Sequence, residues 1–390
     1  MTNAFIVAGK RTPFAEFGGS FKDITPVDLS VIASKALLEE TKIPKEDIDH
    51  VILGNVVPSS TDTMYGGRHL ALKLGLPVKT PGYNVNRLCG SGISIILDAV
   101  KMIKSGEAEC VLASGTENMS MVPHLTYGAR FGQKYGQLQS VDMLLDALTD
   151  KYSETPMGVT AENVAKDNDV NRESCDLFSM KSHQKVAKAY AENHFEGEIA
   201  PVTLKKKVVD KDEHFRADVN LETMQKLRPN FVKDGVVTAA SASGIVDGAA
   251  SVIIASEEYC AKNNLKPIAQ IIDGMVVGVE PTLMGIGPVP AIGELLIKNE
   301  LTLDDIDLFE INEAFAGQIL GCLNQLSIPE EKLNVWGGAI ALGHPLGATG
   351  VRISTTLARS LNEYKKSLGI ASACIGGGQG IAILLKNVNV

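Results

Sequence analysis

The sequence predicts an α/β protein, and three observations carry that prediction. Short apolar runs of strand length alternate with longer stretches of helical periodicity, the pattern of helices laid against a sheet. Residues 36–118 repeat without gaps as residues 294–376, at a constant offset of 258. Between the two copies, residues 119–245 change character: they are rich in Lys, Asp, Glu and Met, with turn clusters and little strand pattern.

The elements follow in order. Ala4-Phe5-Ile6-Val7-Ala8 is an apolar strand at the start of the chain, with no charged leader, apolar core or cleavage site of a secretory signal. Residues 28–40 carry apolar side chains at 29, 32, 33, 36 and 37, a helical stripe. Val51-Ile52-Leu53 and Val111-Leu112-Ala113 are buried strands, and 93–103 is a mostly apolar helix between them. In the second copy, Leu308-Phe309-Glu310-Ile311 and Ile370-Ala371-Ser372-Ala373 are the strands. Leu37 and Leu38 match Leu295 and Leu296, Asp47-Ile48-Asp49 matches Asp305-Ile306-Asp307, Gly92 matches Gly350, and Ala113-Ser114 matches Ala371-Ser372. The stretch 119–245 is an insertion packed over the sheet core. Its run Lys205-Lys206-Lys207 is a solvated face.

Composition bounds the function. The chain has 390 residues, 45% hydrophobic and 21% charged, ordinary for a globular protein. Its net charge of −9 argues against nucleic acid or an anionic membrane as partner. No apolar run approaches the roughly 18 residues of a membrane span. Six cysteines without a CxxC pair suggest neither a disulfide framework nor a zinc site, and a reducing, cytoplasmic setting is expected.

Three glycine-flanked elements carry chemistry. Cys89 lies in Asn86-Arg87-Leu88-Cys89-Gly90-Ser91-Gly92, just before a helix. It is either a small buried hydrophobe or a nucleophile whose pKa the helix N-terminus lowers toward thiolate. His344 lies in Gly343-His344-Pro345-Leu346-Gly347, where the proline disfavours helix and makes a rigid loop. It is a loop histidine without a task or the base that activates Cys89. Cys374 opens Cys374-Ile375-Gly376-Gly377-Gly378 after a strand. That is a tight structural turn or a nest of backbone N–H groups around a ligand. Asn312 follows the strand 308–311, placed to cap a helix or to hold a water at a developing charge.

Together these residues closely resemble the thiolase family. The resemblance rests on the Cys89 segment, on Asn312-Glu313-Ala314-Phe315-Ala316, on Gly337-Gly338-Ala339-Ile340-Ala341-Leu342-Gly343-His344-Pro345-Leu346-Gly347, and on Cys374-Ile375-Gly376-Gly377-Gly378-Gln379-Gly380. Lys10-Arg11-Thr12-Pro13-Phe14 and Gly287-Pro288-Val289-Pro290-Ala291 also match. It covers essentially the whole chain and is nearest to the mitochondrial-type 3-ketoacyl-CoA thiolases and their bacterial relatives.

The resemblance implies a five-layered αβαβα core built from two βαβαβαββ halves. Residues 1–118 with 246–266 would form the first half, 119–245 the CoA-binding loop domain, and 267–390 the second half. It implies CoA-dependent cleavage of 3-ketoacyl-CoA, and the reverse condensation of acetyl-CoA, through an acyl group carried on Cys89. His344 would activate Cys89, and Cys374 would act as acid and base. Asn312 would hold a water that forms one oxyanion hole with His344, and the N–H groups of Cys89 and Gly376 would form the other. Arg216 and Ser243 would contact CoA. Met157, Phe231, Met284, Phe315 and Leu148 would line the pantetheine and acyl pocket. Coenzyme A would be a substrate, with no metal and no bound cofactor. A homo-oligomer, dimer or tetramer, is implied, with residues 123–139 at the place of a tetramer-forming loop.

Two departures stand out. Pro156-Met157-Gly158 replaces the His-Met-Gly of many acetyl-specific members, removing one pocket contact. Ser241-Ala242-Ser243-Gly244 replaces the commoner Asn-Ala-Ser-Gly but keeps the serine. A condensation-only ketoacyl synthase-like enzyme is the first alternative, and the second thiol, Cys374, argues against it. A non-catalytic acyl-CoA binder is the other, and it should have lost Cys89 or His344.

Overall fold

The computed structural model describes residues 2–390. Ten strands form one continuous mixed sheet, nine of them in a single path and the two-residue strand Ala15–Glu16 paired to its side. In chain order the main elements are β1 (Ala4–Arg11), α1 (Pro26–Thr41), β2 (His50–Gly54), α2 (Gly66–Lys73), β3 (Gly82–Val85), α3 (Ser91–Ser105) and β4 (Cys110–Glu117). Then come α4 (Met157–Asp167), α5 (Arg172–Ala191), β5 (Val246–Ser256), β6 (Ala269–Gly278), α6 (Pro288–Lys298) and β7 (Leu308–Ile311). The last are α7 (Ala316–Leu326), α8 (Leu346–Glu363), β8 (Leu368–Ile375) and β9 (Gln379–Lys386). The strand order is β7-β8-β9-β6-β1-β5-β4-β2-β3. Read outward from the middle, β6-β9-β8-β7 repeats β1-β5-β4-β2. The halves meet where β1 and β6 pair antiparallel over three residues, Ala4 to Ile6 against Ile271 to Ala269.

Period-two alternation sorts the strand side chains into layers. Ala4 and Ile6 of β1, Val111 and Ala113 of β4, Val252 and Ile254 of β5, Ala371 and Ala373 of β8, and Ile381 and Ile383 of β9 point to one central core, which α3 and α8 fill. The alternate residues of the first half, Val7, Cys110, Leu112 and Ile253, pack under α1 and α2. Those of the second half, Ile370, Ala382 and Leu384, pack under α6 and α7. The result is helix, sheet, helix, sheet, helix, the five layers expected.

The repeat is physical as well as textual. β4 at 110–117 and β8 at 368–375 lie at the 258-residue offset end to end. Asp49 Oδ2 accepts from the backbone N–H groups of Glu109 and Cys110, at 2.8 and 3.1 Å. Its counterpart Asp307 Oδ2 accepts from Ser367 and Leu368, at 2.9 and 3.0 Å. The second aspartate of each Asp-Ile-Asp triplet therefore pins the start of its neighbouring strand. Gly92 and Gly350 touch each other where α3 crosses α8. A Cβ added to Gly92 would lie 2.7 Å from the Gly350 Cα, so no other residue lets the helices approach this closely.

Residues 119–245 hold helices α4 and α5, two further short helices and three two-stranded ribbons. The 20-residue α5 has no simple apolar stripe. Its buried residues include Asp176, Ser179, Ser182 and His183, each satisfied by a specific partner rather than by hydrophobic packing. Arg11 fastens this region to β1: it is fully buried and donates to Asp212 at 2.6 and 3.0 Å and to Glu198.

Candidate active site

Cys89 sits on a turn between β3 and α3. Asn86 Oδ1 accepts from the Leu88 N–H at 3.0 Å, and Ser91 Oγ bridges Arg87 N–H and Leu88 carbonyl. These bonds hold Leu88 in the left-handed region at φ 46°, an uncommon conformation for a residue branched at Cγ. Gly90 follows because a Cβ there would lie 2.4 Å from Ile375 Cδ1.

The thiol is not the low-pKa thiolate expected from the helix terminus. Burial dominates and pushes the thiol up to about 11, although the Gly376 N–H and its own N–H pull the other way. Cys89 rests as a thiol and needs a base.

His344 is built to be that base. Gly343, at φ 93°, turns the chain into the loop, and His344 N–H donates to the Gly244 carbonyl at 3.0 Å. His344 Nδ1 is 2.5 Å from Thr349 Oγ1, and Thr349 Oγ1 donates to the Pro345 carbonyl at 3.2 Å. With its proton committed to that carbonyl, Thr349 accepts from Nδ1–H. This assigns the tautomer and leaves Nε2 unprotonated, an acceptor toward Asn312 Nδ2. Burial, and then the charge of Arg352, lower the imidazole to about 3, so it is neutral at physiological pH.

Asn312 follows β7 and is fully buried. Its Nδ2 lies 3.4 Å from His344 Nε2, and its Oδ1 has no partner among the described protein groups. Glu313 beside it accepts from Ser182 Oγ at 2.6 Å, Asn334 Nδ2 at 2.8 Å and Ile340 N–H at 3.1 Å, tying this loop to α5.

Cys374 lies inside β8, one residue before its end, rather than in the glycine turn that follows. Gly377 and Gly378 make that turn at φ 79° and 80°. Burial raises the Cys374 thiol well above the usual range, followed by the proximity of Cys89 and Cys322. The fully buried Cys374 thiol therefore lies close to the partly buried Cys89.

The apolar surroundings divide between them. Met157, Met284 and Phe315 pack around Cys374, whereas Leu148 packs with Cys89. Met157 N–H donates to the Leu148 carbonyl at 3.0 Å, joining the two sets. Phe231 lies over Gly158, where a Cβ would be 2.2 Å from its ring, and meets Phe315 edge-on at 6.4 Å. Ser243 is tied to the site by its N–H, which donates to the Ala314 carbonyl at 3.0 Å. Arg216 stands apart at the surface, 61% exposed and paired with Glu16 at 2.8 Å.

Thr349 and Glu313 do not announce themselves in the sequence. Thr349 lies five residues beyond His344, and only the helical start of α8 brings its hydroxyl back to the ring. Among the described residues, no group of His, Cys, Asp and Glu is arranged to hold a metal, and no helix is long and apolar enough to cross a membrane.

Two family models match the chain: "Thiolase, N-terminal domain" over residues 4–258 and "Thiolase, C-terminal domain" over 265–387. The chain is 46% identical to the human "3-ketoacyl-CoA thiolase, mitochondrial" over 392 residues, 99% of each chain. It is 44% identical to a "Probable acetyl-CoA acyltransferase" of Staphylococcus aureus over 393 residues, again 99% of each. The crystal structure of human mitochondrial 3-ketoacyl-CoA thiolase in complex with CoA superposes with a TM-score of 0.98 at 47% identity, covering 99% of this chain and 98% of that one. The Bacillus anthracis acetyl-CoA acetyltransferase superposes with a TM-score of 0.96 at 39% identity, covering 100% and 99%.

Proposed function

The chain belongs to the thiolase family, and from that premise we propose that it cleaves 3-ketoacyl-CoA with free CoA and catalyses the reverse Claisen condensation. The observation that carries this reading is a second thiol, Cys374, buried close to the partly buried Cys89, together with a neutral His344 whose Nε2 carries no proton.

In the cleavage direction Cys89 gives its proton to His344 Nε2 as its sulfur attacks the 3-keto carbon. The oxyanion is met by the N–H groups of Cys89 and Gly376 in one hole, or by His344 and an Asn312-held water in the other. The bond between C2 and C3 breaks, and the departing acetyl-CoA enolate takes the Cys374 proton. Free CoA then gives its thiol proton to the Cys374 thiolate and attacks the acyl–Cys89 thioester. The shortened acyl-CoA leaves, and Cys89 recovers its proton from His344. A thiol raised by burial suits this step because it holds its proton until the enolate forms to take it, and burial keeps water from the thioester. Met157, Met284, Phe315, Phe231 and Leu148 line the channel, Ser243 meets the pantetheine, and Arg216 exchanges Glu16 for the nucleotide end of CoA.

We further propose that residues 119–245 are the CoA-binding insertion between the halves 1–118 with 246–266 and 267–390. The protein forms homo-oligomers through residues 123–139 and works in a reducing compartment such as the cytoplasm.

Mixing the protein with acetoacetyl-CoA and CoA should consume acetoacetyl-CoA only when CoA is present; no CoA-dependent loss would sink the proposal. Cys89→Ala should form no acyl-enzyme on mass spectrometry, whereas Cys374→Ser should accept an acetyl group from acetyl-CoA but fail to make or break the carbon–carbon bond. Equal acylation of the two variants would overturn the division of roles.

A further inference from the structure

Glu117 is a fully buried acidic residue at the end of β4 that the mechanism above does not use. Its Oε1 accepts from Asn55 Nδ2 and the Val57 N–H, both at 2.9 Å. Its Oε2 accepts from the Val56 N–H at 3.1 Å and the Gly347 N–H at 3.0 Å. All four partners are N–H donors, the surroundings an ionised carboxylate needs and a protonated one would waste. Burial nonetheless pushes the group up to about 7.

The donors come from two places that do not otherwise belong together. Asn55, Val56 and Val57 follow β2 in the first half. Gly347 opens α8 in the second half, between His344 and the Thr349 that orients it. The approach is tight: a Cβ on Gly347 would lie 2.5 Å from the carbonyl oxygens of Gly54 and Thr116. Val56, Val57 and Leu346 then pack together around Leu88 and Cys89. One carboxylate thus holds both walls of the nucleophile's turn.

We propose that Glu117 is a positioning residue: it clamps the histidine loop of one half to the 55–57 loop of the other, and so sets His344 against Cys89. This rests on the thiolase reading of the site. Catalysis through His344 requires its ring to stay within a fraction of an ångström of a working geometry, whereas CoA binding does not pass through the clamp. Glu117 therefore acts on the acylation step and not on CoA affinity.

The test is single-turnover acylation of Cys89 by acetoacetyl-CoA, together with steady-state kcat, KM for CoA and Tm, in wild type, Glu117→Gln and Asn55→Ala. Glu117→Gln keeps the shape but turns an NH2 toward N–H donors, and should slow acylation about 10- to 100-fold with KM for CoA within about twofold. Asn55→Ala removes one of four donors and should slow the same step a few-fold. A folded Glu117→Gln enzyme that acylates at the wild-type rate, or whose loss lies in KM for CoA, overturns the proposal. If Glu117→Gln does not fold, wild-type acylation in Asn55→Ala overturns it instead. An inactive wild-type protein would remove the reading beneath it, which is a separate outcome.

Discussion

At the scale of single residues, the site is a set of groups kept neutral by burial until substrate arrives. A thiol pushed up to about 11 and an imidazole lowered to about 3 cannot rest as a thiolate–imidazolium pair. Alkylation of Cys89 in the free enzyme should therefore still be rising with pH above 9, a trend that a chemical labelling series reads directly. Thr349→Val should cost about tenfold or more in kcat, because the ring loses the partner that fixes its tautomer, with KM for CoA unchanged. Stability should follow His344 as well. Its folded pKa lies below the ordinary 6.5, so its contribution is present above that value and is lost as pH falls toward 3. Denaturant unfolding of wild type and His344→Asn at several pH values should show the wild type losing ground below about pH 6.5, by up to about 1.4 kcal/mol per pH unit. A constant difference would mean that the ring titrates in the folded protein as it does in the unfolded chain. The three reactive side chains were visible in the sequence because glycines mark each of them. Thr349 and Glu117 were not, because each acts through hydrogen bonds whose partners only the fold supplies; Glu117 and Gly347 are 230 positions apart.

At the scale of elements, the duplicated halves reuse small devices. Asp49 and Asp307 make the same pair of bonds to the strand beside them. Asp49→Ala and Asp307→Ala should each lower stability by about 1 kcal/mol, and by matching amounts, in chemical denaturation. A large inequality would show that the two copies have drifted apart in energetics while keeping their geometry. The strands at 51–53, 111–113, 308–311 and 370–373 were legible because burial on both faces makes them continuous apolar runs, and the helix over 28–40 because its apolar side chains recur with a period near 3.6. Helix α5 was not, because its buried face carries Asp176, Ser179, Ser182 and His183. Such a face reads as polar until Arg172, Glu313 and the Arg216 backbone are placed beside it.

At the scale of the whole molecule, residues 123–139 carry a run of exposed apolar side chains. Phe131 and Tyr135 are 89% and 94% exposed, and Tyr127 and Leu138 extend the patch. Exposed aromatic side chains of this kind are what the proposed association through this loop requires. Phe131→Asp combined with Tyr135→Asp should lower the mass measured by light scattering on a sizing column while leaving kcat intact. An unchanged mass would overturn the proposed association through this loop. The need for such a loop was legible only through family resemblance, since exposure is a property of the folded surface.

Strand β5 has a consequence for how the protein is made. It pairs with β1 and β4 in the middle of the first half, yet it begins at Val246, after the whole of 119–245 has been synthesised. On the ribosome, β1 and β4 must wait with open edges for the strand that belongs between them, while a large polar segment emerges. Open edges of Val, Ile and Ala are templates for wrong pairing. A nascent chain stalled near residue 240 should therefore be protease-sensitive and bound by chaperones. One stalled after about 300, once β5 has cleared the exit tunnel, should be protected in its first half.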